Sequence, residues 1–445
     1  MSSERRRLRR RVVGALFAIS FVACTGEKAV GCSPSLTCSY NPSKFDAPPR
    51  PDAGPRACDE TRGRCSATTI TAGAEHTCAV AEAGEVLCWG SDDRGQRGPA
   101  DPVTDPDAGP FTGFSTPVPN GAEVAAGGSH TCALTVDADV LCWGSDDAGQ
   151  VSGEPSAESR EPRPIGIRAF GVPTSIAAGD AHTCAVVDSQ VACWGANDYG
   201  QRDPRPDAAA TGISLVAATD GAVEVVAGAR HTCARFDDGH VACWGELLDD
   251  AGSWTRVAEP TPVAGIETAT ELAAAGAQTC ARLQDGRVGC WGGNDSGQLG
   301  DGTTTSRAVP VFVPGATLYF HVATGGRIAD DSTRVGHTCV LDKDFYVWCW
   351  GENGRGELGA GEGPDRATPA RVLAVPSRDS TDSADLDGIA AITAGAHHVC
   401  ALNDNGRAYC WGDDSAGQLD SIVTPTPMTF GRAVGVPRFS RRRGP

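Results

Sequence analysis

The chain has 445 residues, 40% hydrophobic and 21% charged, with a formal net charge of −18, so it can bury a large core and lacks the basic excess that phosphate recognition requires. Its 56 glycines and 29 prolines beside only 2 methionines predict many short strands joined by turns, an all-β class, rather than long helices. Length alone suggests about three domains, an expectation that fails if the chain repeats.

In chain order, the first element is a leader. Arg5, Arg6, Arg7, Arg9, Arg10 and Arg11 precede an apolar run from Val12 to Ala23, the layout of a signal peptide over residues 1–23. That run has 12 residues, short of the ~20 a spanning helix needs, and the mature chain is expected not to cross a membrane. The text Phe21-Val22-Ala23-Cys24 resembles the lipobox of bacterial lipoproteins, with Phe21 in place of the usual leucine. The resemblance implies that Cys24 is the lipidated first residue of a cell-envelope lipoprotein, in the periplasm or at the outer membrane or cell surface, attached through the lipid only. The paired arginines also fit twin-arginine export. Residues 24–65 read as a Pro/Ser-rich tether in which Cys32 with Cys38 and Cys58 with Cys65 close small loops.

From residue 66 to 436 the chain repeats. Setting Cys24 aside leaves 18 of the 19 cysteines, an even number, and fourteen of them form seven evenly spaced pairs. These are Cys78 and Cys88, Cys132 and Cys142, Cys184 and Cys193, Cys233 and Cys243, Cys280 and Cys290, Cys339 and Cys349, and Cys400 and Cys410. Each sits in the same local text, as in His76-Thr77-Cys78-Ala79-Val80, a turn with Gly84, then Val86-Leu87-Cys88-Trp89-Gly90. The unit is about 50 residues, the length of a propeller blade, and it predicts one ring of seven blades rather than several domains. Strand alternation puts Cys78 opposite Cys88 and Val80 opposite Val86 in a hairpin, so one disulfide per blade is expected. Cys184 and Cys193 are one residue closer, and the tighter Asp188-Ser189-Gln190 turn accounts for it. Seven such bridges require an oxidising compartment. On the opposite face, alanine follows the first cysteine in six units, Val340 does so in one, and Trp-Gly always follows the second. The seven tryptophans are expected to pack between blades rather than to form a stacking platform.

The text Gly-x-x-His-Thr-Cys-Ala, turn, Val-x-Cys-Trp-Gly, continued as in Trp291-Gly292-Gly293-Asn294-Asp295-Ser296-Gly297-Gln298-Leu299-Gly300, resembles the repeat of the regulator of chromosome condensation proteins. That resemblance implies a seven-bladed β-propeller over residues 66–436, followed by a basic tail, residues 437–445. The fourth unit departs from it, running through Glu246 to Trp254 without Gly-Gln-Leu-Gly, and the fifth carries Gln278 for histidine. The first unit lacks the Thr-Pro-Val segment of the others, while Pro425 to Phe430 is an orphan copy, so the two chain ends are expected to complete one blade together.

No residue is assigned to catalysis, metal or cofactor. His76, His130, His182, His231, His337 and His398 recur once per unit, and their expected role is to satisfy buried backbone groups, because a metal needs its ligands in one compact shell. The acidic turns Asp92-Asp93, Asp146-Asp147, Asn197-Asp198, Asn294-Asp295 and Asp413-Asp414 lack the alternating calcium loop and read as turn chemistry. Without the leader the chain carries 32 basic and 55 acidic groups, a formal charge of −23, and nucleic acid is not an expected partner. The nucleotide-exchange role suggested by the resembled family's name is not carried to an exported acidic chain. What remains is a monomeric, extracytoplasmic binding or scaffold protein for a protein or glycan. A secreted enzyme inhibitor, like the propellers of similar appearance that block β-lactamases, and a propeller hydrolase or lyase are the alternatives. Four segments break the period, Pro99 to Ser115, Glu246 to Pro260, Tyr319 to Arg334 and Pro376 to Gly388, and are read as binding loops. Phe111, Phe114, Trp254, Tyr319 and Phe320 are their candidate anchors.

Overall fold

Alternation of apolar residues, glycine-bearing turns and paired cysteines fold each repeat into an antiparallel sheet, and seven such sheets form a propeller. The computed structural model describes residues 67–419, except 82–83, 100–113, 117, 119, 206–210, 316–317, 330–332, 373–374, 377–382, 385, 387, 405 and 407, together with Val434–Gly435. The leader, Cys24, the tether with Cys32, Cys38, Cys58 and Cys65, Phe111, the Pro425 to Phe430 segment and the basic tail lie outside the described residues.

Blade 1 consists of Ala67–Ala72, His76–Ala81, Val86–Gly90 and Phe114–Thr116, in that spatial order. The innermost strands of blades 2 to 7 are Gly121–Ala126, Pro173–Ala178, Ala222–Ala227, Ala269–Ala275, Tyr319–Ile328 and Ile389–Ala394. Each touches the next, and the strand of blade 7 touches that of blade 1, closing the ring. Among the described residues no helix is long and apolar enough to cross a membrane.

The predicted hairpin register is present. Cys78 faces Cys88 and Val80 faces Val86, and the equivalent disulfide closes in all seven blades. In blade 3, Val187 pairs with Gln190 across a two-residue turn in which Asp188 and Ser189 have φ of 45° and 65°. Two successive left-handed residues are the signature of the tight hairpin turn that the shorter cysteine spacing demands.

Blades adhere through the two faces the alternation creates. One face of blade 1 presents Cys78, Val80, Val86 and Cys88 to Trp143 of blade 2, while the other presents Ala79, Leu87 and Trp89 to the Cys400–Cys410 bridge of blade 7. Every core cluster repeats this contact of one blade's disulfide with the next blade's tryptophan. The disulfides therefore supply an apolar wall as well as a cross-link. Trp143, Trp194, Trp244, Trp350 and Trp411 are wholly buried, and each ring gains about 5 kcal/mol of transfer free energy before conformational costs. The packing role expected of the tryptophans is the observed one.

The expectation that the two chain ends share a blade is corrected. The Thr-Pro-Val segment adds to the outer edge of the hairpin before it, as Thr261 pairs with Cys243, so each blade is built from consecutive strands. Blade 7 takes its outer strand from Val434–Gly435 beside Tyr409 and Cys410. The ring closes by side-chain packing and bonds such as Ala72 N–H to Thr393 Oγ1, 3.0 Å.

Candidate binding site

The once-per-blade histidines latch neighbouring blades. His76 Nε2 lies 2.9 Å from Thr131 Oγ1, and the rung repeats at 2.8 Å from His130 to Thr183, His182 to Thr232, His231 to Thr279 and His398 to Thr77. In four of these rungs the threonine hydroxyl gives its single proton to a main-chain carbonyl, from Thr131 to Gln96, 2.8 Å, Thr183 to Gln150, 2.9 Å, Thr232 to Gln201, 2.8 Å, and Thr77 to Gln418, 3.2 Å. Each ring in those rungs must therefore donate from Nε2–H. Burial pushes His76, His182 and His398 down to about 3, and His130, His231 and His337 down to about 4. The expected partner, a backbone group, is replaced by the next blade's side chain, because the bond crosses a seam that a single repeat cannot reveal. Glycine makes the approach possible: a Cβ on Gly127 would lie 2.5 Å from the Gly179 carbonyl of the next blade.

The tryptophans add a second latch. Trp143, Trp194, Trp244, Trp350, Trp411 and Trp89 donate from Nε1 to the main-chain carbonyl of Gln96, Gln150, Gln201, Gln298, Glu357 and Gln418 of the preceding blade, at 2.8–2.9 Å. Trp291 follows the fourth blade, which lacks the Gly-Gln segment, and makes no such bond among the described residues. The acidic turns behave as the turn reading expects. Asp146 Oδ1 accepts from Val151 N–H at 2.8 Å, and Asn294 Oδ1 accepts from Leu299 N–H at 2.9 Å.

Toward the axis, Glu224 pairs with Arg235 at 2.6 Å, while Glu271 pairs with Arg282 at 2.9 Å and His321 at 3.2 Å. Burial, with Glu224 adding repulsion, pushes Glu123 up to about 7. Glu224 and Glu271 are committed to inter-strand pairs.

The candidate anchors separate. The Tyr319–Arg334 segment, read as a loop, is mostly the long strand Tyr319–Ile328 and ends on the first residue of its partner strand Arg334–Asp342, and its two ends lie on opposite faces of the propeller. Trp254 belongs to the far end, half-buried on a hairpin from blade 4, with the Arg334 guanidinium 4.1 Å above its ring. Phe114 forms part of the outer strand of blade 1. Tyr319 is 6% exposed and lines a shallow hollow with Pro314, Trp348, Thr368 and Pro369. Phe320 beside it is 50% exposed.

Around Phe320 the structure gathers residues that repeat reasoning passed over. Phe345 is 51% exposed with its ring centroid 6.3 Å from that of Phe320. Leu318 is exposed and accepts the Lys343 N–H, while Tyr346 lies under the Arg371 guanidinium. Phe345 has φ of 63°, in the turn position where blades 1, 4, 5 and 7 carry Gly84, Gly239, Gly286 and Gly406. A phenylalanine there costs about 1 kcal/mol relative to glycine and places an aromatic ring on the surface. Its sequence signal was a large aromatic at a turn position that holds glycine in four other blades and Ala138 in blade 2.

Comparison with known proteins agrees with this architecture. The regulator of chromosome condensation (RCC1) repeat matches residues 67–96, 122–150, 174–201, 222–246 and 389–418 in one form, and 285–328 and 346–402 in another, together about half the chain. The ultraviolet-B receptor UVR8 of Arabidopsis thaliana is 28% identical over 79% of this chain and 78% of its own length. The E3 ubiquitin-protein ligase HERC2 of Homo sapiens is 31% identical over 82% of this chain, which spans 6% of that protein. The crystal structure of Prp20p from Saccharomyces cerevisiae, a protein described with binding properties to Gsp1p and histones, superposes with a TM-score of 0.60 at 17% identity, over 76% of this chain and 83% of that one.

Proposed function

The chain belongs to the regulator of chromosome condensation (RCC1) repeat family, and from that premise we propose that it is a non-catalytic extracytoplasmic binding protein, lipid-anchored at Cys24, that presents the hairpin-turn end of blade 6 to a protein partner. The observation that carries the reading is the exposed group Leu318, Phe320, Phe345 and Tyr346, one of whose rings is held at a left-handed backbone position that four sibling turns give to glycine and blade 2 gives to Ala138. Strain kept at an exposed aromatic is accounted for by a use outside the fold. Aromatic rings edged by Arg371 and Arg287, the latter 4.6 Å over Phe312, have the composition of a protein-interface anchor. The seven disulfides and the arginine-led leader support a location outside the cytoplasm.

The test compares wild type with the double variant Phe320→Asp/Phe345→Asp as disulfide-intact baits in envelope extract. A protein retained saturably by wild type and lost from the double variant, with unchanged thermal unfolding of the bait, is expected. Retention of the same proteins by both baits would reject this face. Labelled fatty acid incorporated by wild type and abolished by Cys24→Ser tests the anchor.

A further inference from the structure

One seam of the ring differs from the others at three positions at once, Glu357, His397 and Val399, beside a glutamate, Glu352, that blade 4 shares as Glu246. Blade 6 carries Glu357 where the other blades with this segment carry Gln96, Gln150, Gln201, Gln298 and Gln418, and Glu352 follows its Trp-Gly pair. Blade 7 carries His397 where blades 1 to 6 have Glu75, Ser129, Ala181, Arg230, Ala277 and Gly336, and it carries Val399 in place of the latch threonine. Glu352, Glu357 and His397 meet. His397 Nδ1 lies 3.4 Å from Glu357 Oε1 and 4.0 Å from Glu352 Oε2, and all three ligand atoms fall within 4.8 Å of one another. Glu357 is wholly buried and His397 is 5% exposed.

The conserved part of the Gln role explains what is new. Glu357 Oε2 still accepts the Arg355 N–H at 2.9 Å, as Gln150 Oε1 accepts that of Ala148. Where Gln150 then donates from Nε2 to Ser145, Glu357 offers a second buried oxygen with no proton to give. A second observation lies beside it. His337, wholly buried next to Glu357 and His397, faces Val399 instead of a hydroxyl, and neither of its ring nitrogens has a well-formed hydrogen bond.

We propose that Glu352, Glu357 and His397 form a binding site for one divalent transition-metal ion, zinc being the best match, at the seam of blades 6 and 7. One imidazole and two carboxylates are zinc-type donors, and bonds of about 2.0–2.2 Å require Glu352, whose Oε2 stands 4.0 Å from His397 Nδ1, to move in as Arg327 leaves. Arg327 holds the place of the cation in the metal-free form. Its Nη1 lies 3.2 and 3.3 Å from the two Glu352 oxygens and 3.3 Å from His397 Nδ1, on a side chain 36% exposed and able to swing away. His337 is the adjacent group available as a fourth ligand or as a hydrogen-bond partner to bound water. The site occupies the end of blade 6 opposite Phe320 and Phe345, so it stands or falls independently of the partner face.

The repeat supplies substitutions already compatible with the fold. Glu357→Gln installs the residue of five other blades, and His397→Ala that of blades 3 and 5. Chelator-treated, disulfide-intact mature chain is titrated with zinc chloride by calorimetry, with magnesium chloride as control and circular dichroism to verify folding. Wild type is expected to bind one zinc ion per chain, and each variant at least about 100-fold more weakly. Arg327→Ala, which removes the competing cation, is expected to bind several-fold more tightly. Absence of stoichiometric zinc binding by wild type, or equal binding by both ligand variants, would overturn the site, as would weaker binding by Arg327→Ala.

Discussion

Replacing His130 by glutamine, the residue the fifth blade carries as Gln278, should flatten the acid lability of the propeller by one histidine's share. The ring histidines have folded pKa values pushed by burial to about 3 or 4, against about 6.5 in the unfolded chain. Between those values the unfolded chain binds more protons than the folded one, so stability falls as pH drops below about 6.5 and levels off only near the folded pKa. From pH 7 to pH 5 each histidine costs about 2 kcal/mol, and the six together about 11. Glu123 and Asp180, raised by burial to about 7 and about 6, act with the opposite sign. They take up protons in the folded state over this range and return about 3 kcal/mol. These eight groups leave a net loss of about 8 kcal/mol. Urea unfolding of the disulfide-intact chain at pH 7 and pH 5 measures it, and His130→Gln should lose about 2 kcal/mol less than wild type. Glutamine can serve the seam, since Gln278 Nε2 donates to the His337 carbonyl at 2.8 Å. If wild type and variant lose stability in parallel, the buried neutral latch is wrong.

Four further outcomes follow from the same geometry. Val399→Thr, a change that ordinarily costs stability in a core, should instead raise it by about 1 kcal/mol in urea unfolding, by giving His337 its missing hydroxyl and capping the Glu357 carbonyl. Trp143→Phe should cost about 1 kcal/mol more than Trp291→Phe, since only the former loses a bond to the preceding blade. The pair Cys132→Ala/Cys142→Ala should cost about 3 kcal/mol in chain entropy, and more through lost packing on Trp194, read as a lower thermal midpoint. Phe345→Gly should leave stability unchanged or raise it by up to about 1 kcal/mol while weakening capture of the partner, a split that a purely structural phenylalanine would not produce.

The repeat made the number of blades, the hairpin register and the cysteine pairing legible, because each depends on residues close in sequence and on a period of two. Cys78 opposite Cys88 needs only a hairpin. The sense in which blades are cut from the repeat was not legible, since Thr261 can pair with the strand before it or open the sheet after it until the outer edge at Cys243 is seen to be vacant for it. The recurring histidines were visible, but their partners were not: the rung from His76 to Thr131 spans 55 residues and exists only once two blades abut. The same holds for the two candidate sites. Phe320 could be named as an exposed aromatic, whereas Phe345 became its neighbour through strand pairing and a left-handed turn. Glu352, Glu357 and His397 each look like a minor lapse from the repeat. Periodicity of the chain determined the propeller, while its departures acquired chemical meaning only where the ring brought them within bonding distance.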